Sequence, residues 1–222
     1  MKKIVAIIIY LNLILVGIAQ EQKRFEADIN IIKEYDKIYE PAQTPIVFAG
    51  SSSIRKWNNM QTAFGSYNII NRGIGGAVIE DITYYLNQLV FVYEPRQIVL
   101  YVGENNLPNE NETPDIILDK TITLYKAIRA KLPEVPIVYI SMKPSPSRAN
   151  YQQKCMAAND LIKKFIATQK NIVFVDVFTP MLKNGKSRPE LFVSDMLHMN
   201  KEGYSIWQKL IEPYLLKQKK SD

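Results

Sequence analysis

The one histidine of the chain, His198, stands three residues after Asp195 in Ser194-Asp195-Met196-Leu197-His198-Met199-Asn200. Imidazole shuttles protons near neutral pH, and a carboxylate bonded to one ring nitrogen fixes the tautomer that leaves the other nitrogen basic. Any imidazole acid-base chemistry in this chain therefore passes through His198, with Asp195 as its nearest partner in sequence. A lone histidine is more often structural than catalytic, so a catalytic reading depends on what the other polar segments add.

Three such segments are rich in small or polar residues: Gly50-Ser51-Ser52-Ser53, Asn71-Arg72-Gly73-Ile74-Gly75-Gly76 and Gly103-Glu104-Asn105-Asn106. A serine at a strand-to-helix turn presents its hydroxyl at the rim of a sheet, where a neutral imidazole can remove its proton. Ser52 with His198 and Asp195 would make such a nucleophile, base and acid. Attack on an ester carbonyl places negative charge on oxygen, which needs aimed hydrogen-bond donors. Gly76 can offer a backbone N–H and Asn105 its side-chain amide. The bland reading is that these serines, glycines and asparagines are ordinary turn formers.

The elements that must position these residues alternate. Ile46–Ala49, Asn68–Ile70, Ile98–Val102, Ile137–Ile140 and Ile172–Val177 are short, apolar and rich in β-branched residues, as strands buried on both faces should be. Between and around them lie helical patterns over 23–39, 113–132, 151–168 and 201–216. The second opens on Thr113-Pro114, carries Ile116, Ile117, Leu124 and Ile128, and closes on Leu132-Pro133. Five strands interleaved with helices predict a three-layer α/β domain with a mainly parallel sheet and right-handed crossovers. Ligands bind such sheets outside the carboxyl ends of the strands. The first three polar segments follow the first three strands, and Asp195 and His198 follow the last, so all four converge on one edge.

In that order the segments resemble the four blocks of the SGNH hydrolases, also called GDSL-type esterases. Block one is Phe48-Ala49-Gly50-Ser51-Ser52-Ser53-Ile54, block two Asn71 to Gly76, block three Gly103-Glu104-Asn105-Asn106, and block five Asp195-Met196-Leu197-His198. The similarity spans about 45 to 207 and ends in His198-Met199-Asn200-Lys201-Glu202-Gly203-Tyr204. It implies a flavodoxin-like α/β/α fold on a five-stranded sheet, a Ser52–His198–Asp195 triad, and an oxyanion hole of Ser52, Gly76 and Asn105. Ser51 replaces the usual block-one aspartate, which leaves Ser51 and Ser53 open as alternative nucleophiles. The Gly-x-Asn-Asn form of block three is similar to the platelet-activating-factor acetylhydrolase and acetylesterase branch, which implies short acyl groups. The expected activity is serine-esterase hydrolysis of carboxylic esters, acetyl esters of a carbohydrate or lipid foremost. From a different class, the same fold with its chemistry lost would bind a glycan or acyl ligand. A flavodoxin-like phosphate or flavin site at Gly50 to Ser53 would leave Asp195 and His198 without a role.

Compartment and charge bound the rest. Lys2 and Lys3, the apolar run Ile4 to Val16 and Gly17-Ile18-Ala19 read as a signal peptide over 1–19, cleaved after Ala19, which predicts a secreted or periplasmic protein without stable membrane insertion. The apolar run is shorter than the roughly 20 residues of a membrane span. Residues 20–222 are expected to form one domain. Without Lys2 and Lys3, 26 basic residues face 22 acidic ones, a net +4. Lys217, Lys219 and Lys220 supply much of that from the C-terminus, and no basic stripe with interleaved aromatics suggests nucleic acid. Cys155 is the sole thiol, so no internal disulfide can form, and it reads as a helix-packing residue. No cofactor is expected, and one histidine without clustered cysteines makes a poor metal-ligand set. Trp57 and Trp207 read as packed aromatics. Lys143-Pro144-Ser145-Pro146-Ser147-Arg148 follows the fourth strand at the same edge, where Lys143 or Arg148 could contact the polar alcohol part of a substrate. The expected partner is a small-molecule or glycan ester, and no segment specifies an oligomeric state.

Overall fold

The computed structural model describes residues 24–41 and 43–217. The expected signal segment and the terminal Lys219 and Lys220 lie outside them. The chain divides into a unit ending at Glu40 and a second beginning at Pro41. The first contains helix α1 (Glu26–Ile38), with Glu26 and Asp28 in its first turn and Lys37 in its last, charges that complement the helix dipole. Among the described residues no helix is long and apolar enough to cross a membrane.

The second unit is a three-layer α/β/α fold. Strands β1 (Ile46–Gly50), β2 (Ile69–Gly73), β3 (Gln97–Tyr101), β4 (Ile137–Ile140) and β5 (Ile172–Val175) form one parallel sheet in the order β2-β1-β3-β4-β5. Side chains alternate across it. Ile46, Phe48, Val99, Tyr101, Val138, Ile140 and Val175 share one core with Trp57, Phe64 and Trp207. Leu100, Ile137, Tyr139 and Ile172 line the other face, against Leu124 of α6 (Pro114–Lys131) and Phe165 of α7 (Gln152–Ile166). Trp57 and Trp207 are buried, their rings 6.0 Å apart and near perpendicular. Cys155 is buried on α7, and burial pushes its thiol far above the usual range, which removes thiolate reactivity.

The elements follow the apolar pattern, and their ends follow their partners. β1 and β2 run on to Gly50 and Gly73, which pair with each other. β5 stops at Val175 because Asp176 Oδ1 accepts the N–H groups of Phe178 (2.8 Å) and Thr179 (3.0 Å) and turns the chain. β5 is also not buried on both faces: as an edge strand it leaves Val173 exposed. In α6 the buried stripe is Ile117, Thr121, Leu124 and Ile128, with Ile116 outside it; Thr113 caps the start by accepting the Ile116 N–H. The last described helix, α8 (Lys201–Ile211), gives way to a 3₁₀ turn at Glu212–Tyr214 around Pro213. Four short helices, α2 (Ser52–Arg55), α3 (Met60–Ala63), α4 (Ile79–Tyr84) and α5 (Leu86–Leu89), are too brief for helical periodicity to reveal.

One charged cluster is buried at the carboxyl end of the sheet. The Lys143 ammonium meets Glu104 Oε2 at 2.6 Å and Ser145 Oγ at 2.8 Å, and its side chain is 0% exposed. The Tyr101 hydroxyl donates to Glu104 Oε2 at 2.6 Å, and the Ser145 hydroxyl donates to Oε1. Burial by itself would raise the Glu104 pKa; the charges of Lys143 and Arg148 and the bonds from Lys143 and Ser145 outweigh it and hold the carboxyl below its ordinary range.

A folded-state pKa below the unfolded value gives stability that is complete above about pH 4.3 and lost as pH falls through the folded pKa. Glu104→Gln leaves Lys143 buried without its counter-charge and is expected to cost about 3 to 5 kcal/mol at pH 7. Below about pH 4.3 the wild type should lose up to about 1.4 kcal/mol per pH unit from this group, a slope the variant lacks. Urea unfolding of both proteins from pH 7 to pH 3 should show the gap narrowing; a constant gap would refute an ionised Glu104.

Candidate active site

β1 is interior to the sheet, with β2 on one side and β3 on the other, so the chain reverses its direction of winding between β1 and β3. A crevice opens at such a switch point, outside the strand ends. Gly50 pairs with Tyr101 on one side and Gly73 on the other, so three of the polar segments leave the sheet at one level. Ser51 N–H donates to the Tyr101 carbonyl at 2.9 Å, and Ile74 N–H to the Gly50 carbonyl at 2.8 Å. Asn71 Nδ2 donates to the Ile54 carbonyl at 2.7 Å, fastening the second segment to α2.

Ser52 is the first residue of α2. Ser51 is its N-cap and is buried, as is Ser53, whereas Ser52 is half-buried. His198 Nε2 lies 2.9 Å from Ser52 Oγ, and Ser52 is the one serine of the three with this contact among the described residues. His198 Nδ1 lies 2.6 Å from Asp195 Oδ2. Asp195 Oδ1 accepts the backbone N–H groups of Leu197 (2.9 Å) and His198 (2.8 Å), so the carboxylate is aimed by its own loop. Partial burial would raise the Asp195 pKa; the bonds from the His198 ring and the two backbone N–H groups outweigh it and hold the carboxyl well below the usual range. Asp195 is 43% exposed, so this arrangement orients the ring rather than stabilising the fold.

The loop around His198 is tied down locally. Val193 N–H donates to the His198 carbonyl at 2.9 Å, and Phe192 pairs with Met199. Asn200 caps α8 (Lys201–Ile211), accepting the Gly203 N–H at 3.1 Å, while its own amide donates to the Glu190 carbonyl at 2.8 Å. The Tyr204 hydroxyl donates to the Ser53 carbonyl at 2.9 Å. The Asn-x-x-Gly-Tyr end of the motif thus binds the histidine loop to the serine turn.

Asn105 Nδ2 donates to the Ala77 carbonyl at 2.9 Å, which brings the third segment against Gly76-Ala77. Gly76 has φ +80, a backbone that side-chain-bearing residues rarely adopt, and a Cβ built there would meet nothing within 4 Å. Asn106 plays a bracing part instead. Wholly buried, it accepts the Ile79 N–H at 3.1 Å and donates to Glu80 (3.0 Å) and Glu112 (2.8 Å), which fixes the start of α4.

Two expectations about the loop after β4 change. Lys143 cannot reach a substrate, because burial commits its ammonium to Glu104 and Ser145. Arg148 is 15% exposed and points inward, donating to the Glu104 carbonyl and, at 2.7 Å, to Asn105 Oδ1. Sequence reasoning also passed over Lys56, whose ammonium stands 3.2 Å from His198 Nδ1. It lies one helical turn beyond Ser52, a spacing that places two residues on the same helix side. Lys56 and a protonated Nδ1 are both donors; the shorter, charge-assisted contact to Asp195 takes the Nδ1 proton and leaves Nε2 to accept from Ser52.

A family model for the GDSL-like lipase/acylhydrolase family matches residues 46–206. No curated protein matches the chain. Among solved structures, a candidate platelet activating factor from Streptococcus pneumonia superposes with TM-score 0.75 at 21% identity, covering 94% of this chain and 99% of its own. A GDSL-like lipase from Bacteroides thetaiotaomicron gives 0.71 at 20% identity, covering 87% and 96%. A carbohydrate esterase family 3 protein from Talaromyces cellulolyticus gives 0.64 at 17% identity, covering 78% and 96%. At these identities the structures share the fold, while the family model covers most of the chain and all four blocks: the chain belongs to the GDSL-like lipase/acylhydrolase family.

Proposed function

We propose that this protein is an exported serine esterase that hydrolyses short-chain carboxylic esters, acetyl esters of a carbohydrate or lipid alcohol foremost. The observation that carries the reading is the row Ser52 Oγ, His198 Nε2, His198 Nδ1, Asp195 Oδ2, with contacts of 2.9 and 2.6 Å. Ser52 Oγ attacks the ester carbonyl as His198 Nε2 takes its proton, and Asp195 steadies the imidazolium. The negative charge on the carbonyl oxygen is received by the N–H groups of Ser52 and Gly76 and by Asn105 Nδ2. The imidazolium then protonates the departing alcohol, leaving an acyl-Ser52. A water molecule gives its proton to Nε2, attacks the acyl carbonyl, and the acid departs as the proton returns to Ser52.

The preference for short acyl groups rests on the likeness of block three to acetyl-ester hydrolases, and a carbohydrate alcohol is favoured by the shared fold of the Talaromyces carbohydrate esterase. Export rests on residues 1–19, and cleavage after Ala19 would make Gln20 the first residue of the mature protein.

Ser52→Ala is expected to lower kcat/KM for p-nitrophenyl acetate by about 10⁴-fold or more. In a panel of p-nitrophenyl esters from acetate to octanoate the wild type should prefer acetate. Unchanged turnover in the variant would remove Ser52 from the chemistry; ligand binding without turnover in the wild type would indicate a binding module instead. Asp195→Asn offers an amide N–H where Nδ1 needs an acceptor, which favours the tautomer with the proton on Nε2. It should cut kcat by about 10² to 10⁴ while leaving KM within a few-fold, measured on the same acetate ester.

A further inference from the structure

We infer that Arg148 is a positioning residue that sets the carboxamide of Asn105 for catalysis, an inference that rests on the esterase reading above. The guanidinium reaches back from the loop after β4 and divides its two terminal nitrogens between consecutive residues of the third segment. Nη1 donates to the Glu104 carbonyl and Nη2 to Asn105 Oδ1 at 2.7 Å. Such a planar fork grips two acceptors at once, which a lysine ammonium on a flexible stem does not do.

The consequence for Asn105 follows from its donors and acceptors. A carboxamide has one acceptor oxygen and two N–H donors. Arg148 holds the oxygen, and the Ala77 carbonyl takes one N–H at 2.9 Å. That leaves the second N–H to serve the developing oxyanion. A flip of the amide would set Oδ1 against the Ala77 carbonyl and turn Nδ2 toward a cation, so both neighbours oppose it. A charged donor on Oδ1 also polarises the amide and strengthens its remaining N–H as a donor.

Arg148 is itself held in place. Its backbone departs from helical geometry (φ −117, ψ 24) within the 3₁₀ segment Pro146–Tyr151, and its N–H donates to the Ser145 carbonyl at 2.9 Å. Ser145 belongs to the buried Lys143–Glu104 cluster. Its guanidinium also stands 3.9 Å from Glu104 Oε1, which supplies a counter-charge.

The test is a double-mutant cycle with Arg148→Met and Asn105→Ala, read with p-nitrophenyl acetate. Arg148→Met should lower kcat by about 10- to 100-fold, less than the full loss of an oxyanion donor because Asn105 is displaced rather than deleted, with KM within about threefold. In the Asn105→Ala background the same substitution should change kcat by less than about twofold. Equal losses in both backgrounds, or a rise in KM with kcat unchanged, would overturn the inference. Arg148→Lys retains the charge opposite Glu104 and serves if the methionine variant does not fold; it too should lower kcat only when Asn105 is present. A crystal structure of either variant supplies a readout independent of turnover: the Asn105 carboxamide should be rotated or spread over several orientations, and a carboxamide unmoved overturns the inference. Failure of the wild type to hydrolyse any ester in the panel would instead defeat the esterase reading, with the carboxamide position still deciding the role of Arg148.

Discussion

The site depends on how closely β1 and β3 approach at their carboxyl ends. Gly50 pairs with Tyr101 there, and a Cβ added at Gly50 would lie 1.9 Å from the Tyr101 carbonyl oxygen, at a φ of +148 that side-chain-bearing residues rarely adopt. The next N–H, that of Ser51, bonds the same carbonyl. The two strands therefore end in contact, and the chain must turn out of the sheet at once on each of them. That turn puts Ser52 at the start of α2 beside the segment carrying Asn105, although 53 positions separate the two. A wider gap would admit a side chain and separate Ser52 from the segment that carries Asn105.

Below that crowded edge the core carries charge where an apolar residue would fold more easily. Removing Lys143 and Glu104 from water is costly, and buried ion pairs often stabilise a fold no better than hydrophobic residues of the same size. What the pair supplies here is geometry. Glu104 is anchored by Lys143, Tyr101 and Ser145, and it is the residue immediately before Asn105. Because each polar atom in the cluster is matched, shifting the segment would break several charge-assisted bonds together. An apolar replacement could fill the volume without dictating where residue 105 stands.

Much of this is legible in the sequence, for identifiable reasons. Strands buried by helices on both sides give continuous apolar runs, so all five stand out, while the edge strand β5 keeps the run and loses the burial. The meeting of residues 52, 195 and 198 follows from placing each at a strand's carboxyl end. The choice among Ser51, Ser52 and Ser53 does not, because which hydroxyl faces the ring depends on where α2 begins. Lys143 misleads for a related reason: a lysine in a loop is ordinarily solvated, and only its distant partner Glu104 draws it inside. Arg148 lies in the right loop, yet its direction depends on an acceptor 43 positions away. Pairings of this kind leave no periodicity and no local spacing for a single sequence to display.

The loop after β4 explains how two halves of the site stay in register. Arg148 holds Asn105 by its Oδ1, and its neighbour Ser147 donates its backbone N–H to the Met196 carbonyl at 3.0 Å, inside the turn that carries Asp195 and His198. Met196 has φ +54, an uncommon backbone for a residue with a side chain, and its own N–H is satisfied by the Val193 carbonyl at 2.9 Å. The strained turn is thus fixed from both sides. Pro144 and Pro146 restrict the bridging segment, because each ring fixes its own φ. Asp195 can then stay 43% exposed without loosening His198, because the ring is placed by the loop as much as by the carboxylate. His198 and Asn105 are set by adjacent residues of one short segment, so a displacement of that segment would move both together.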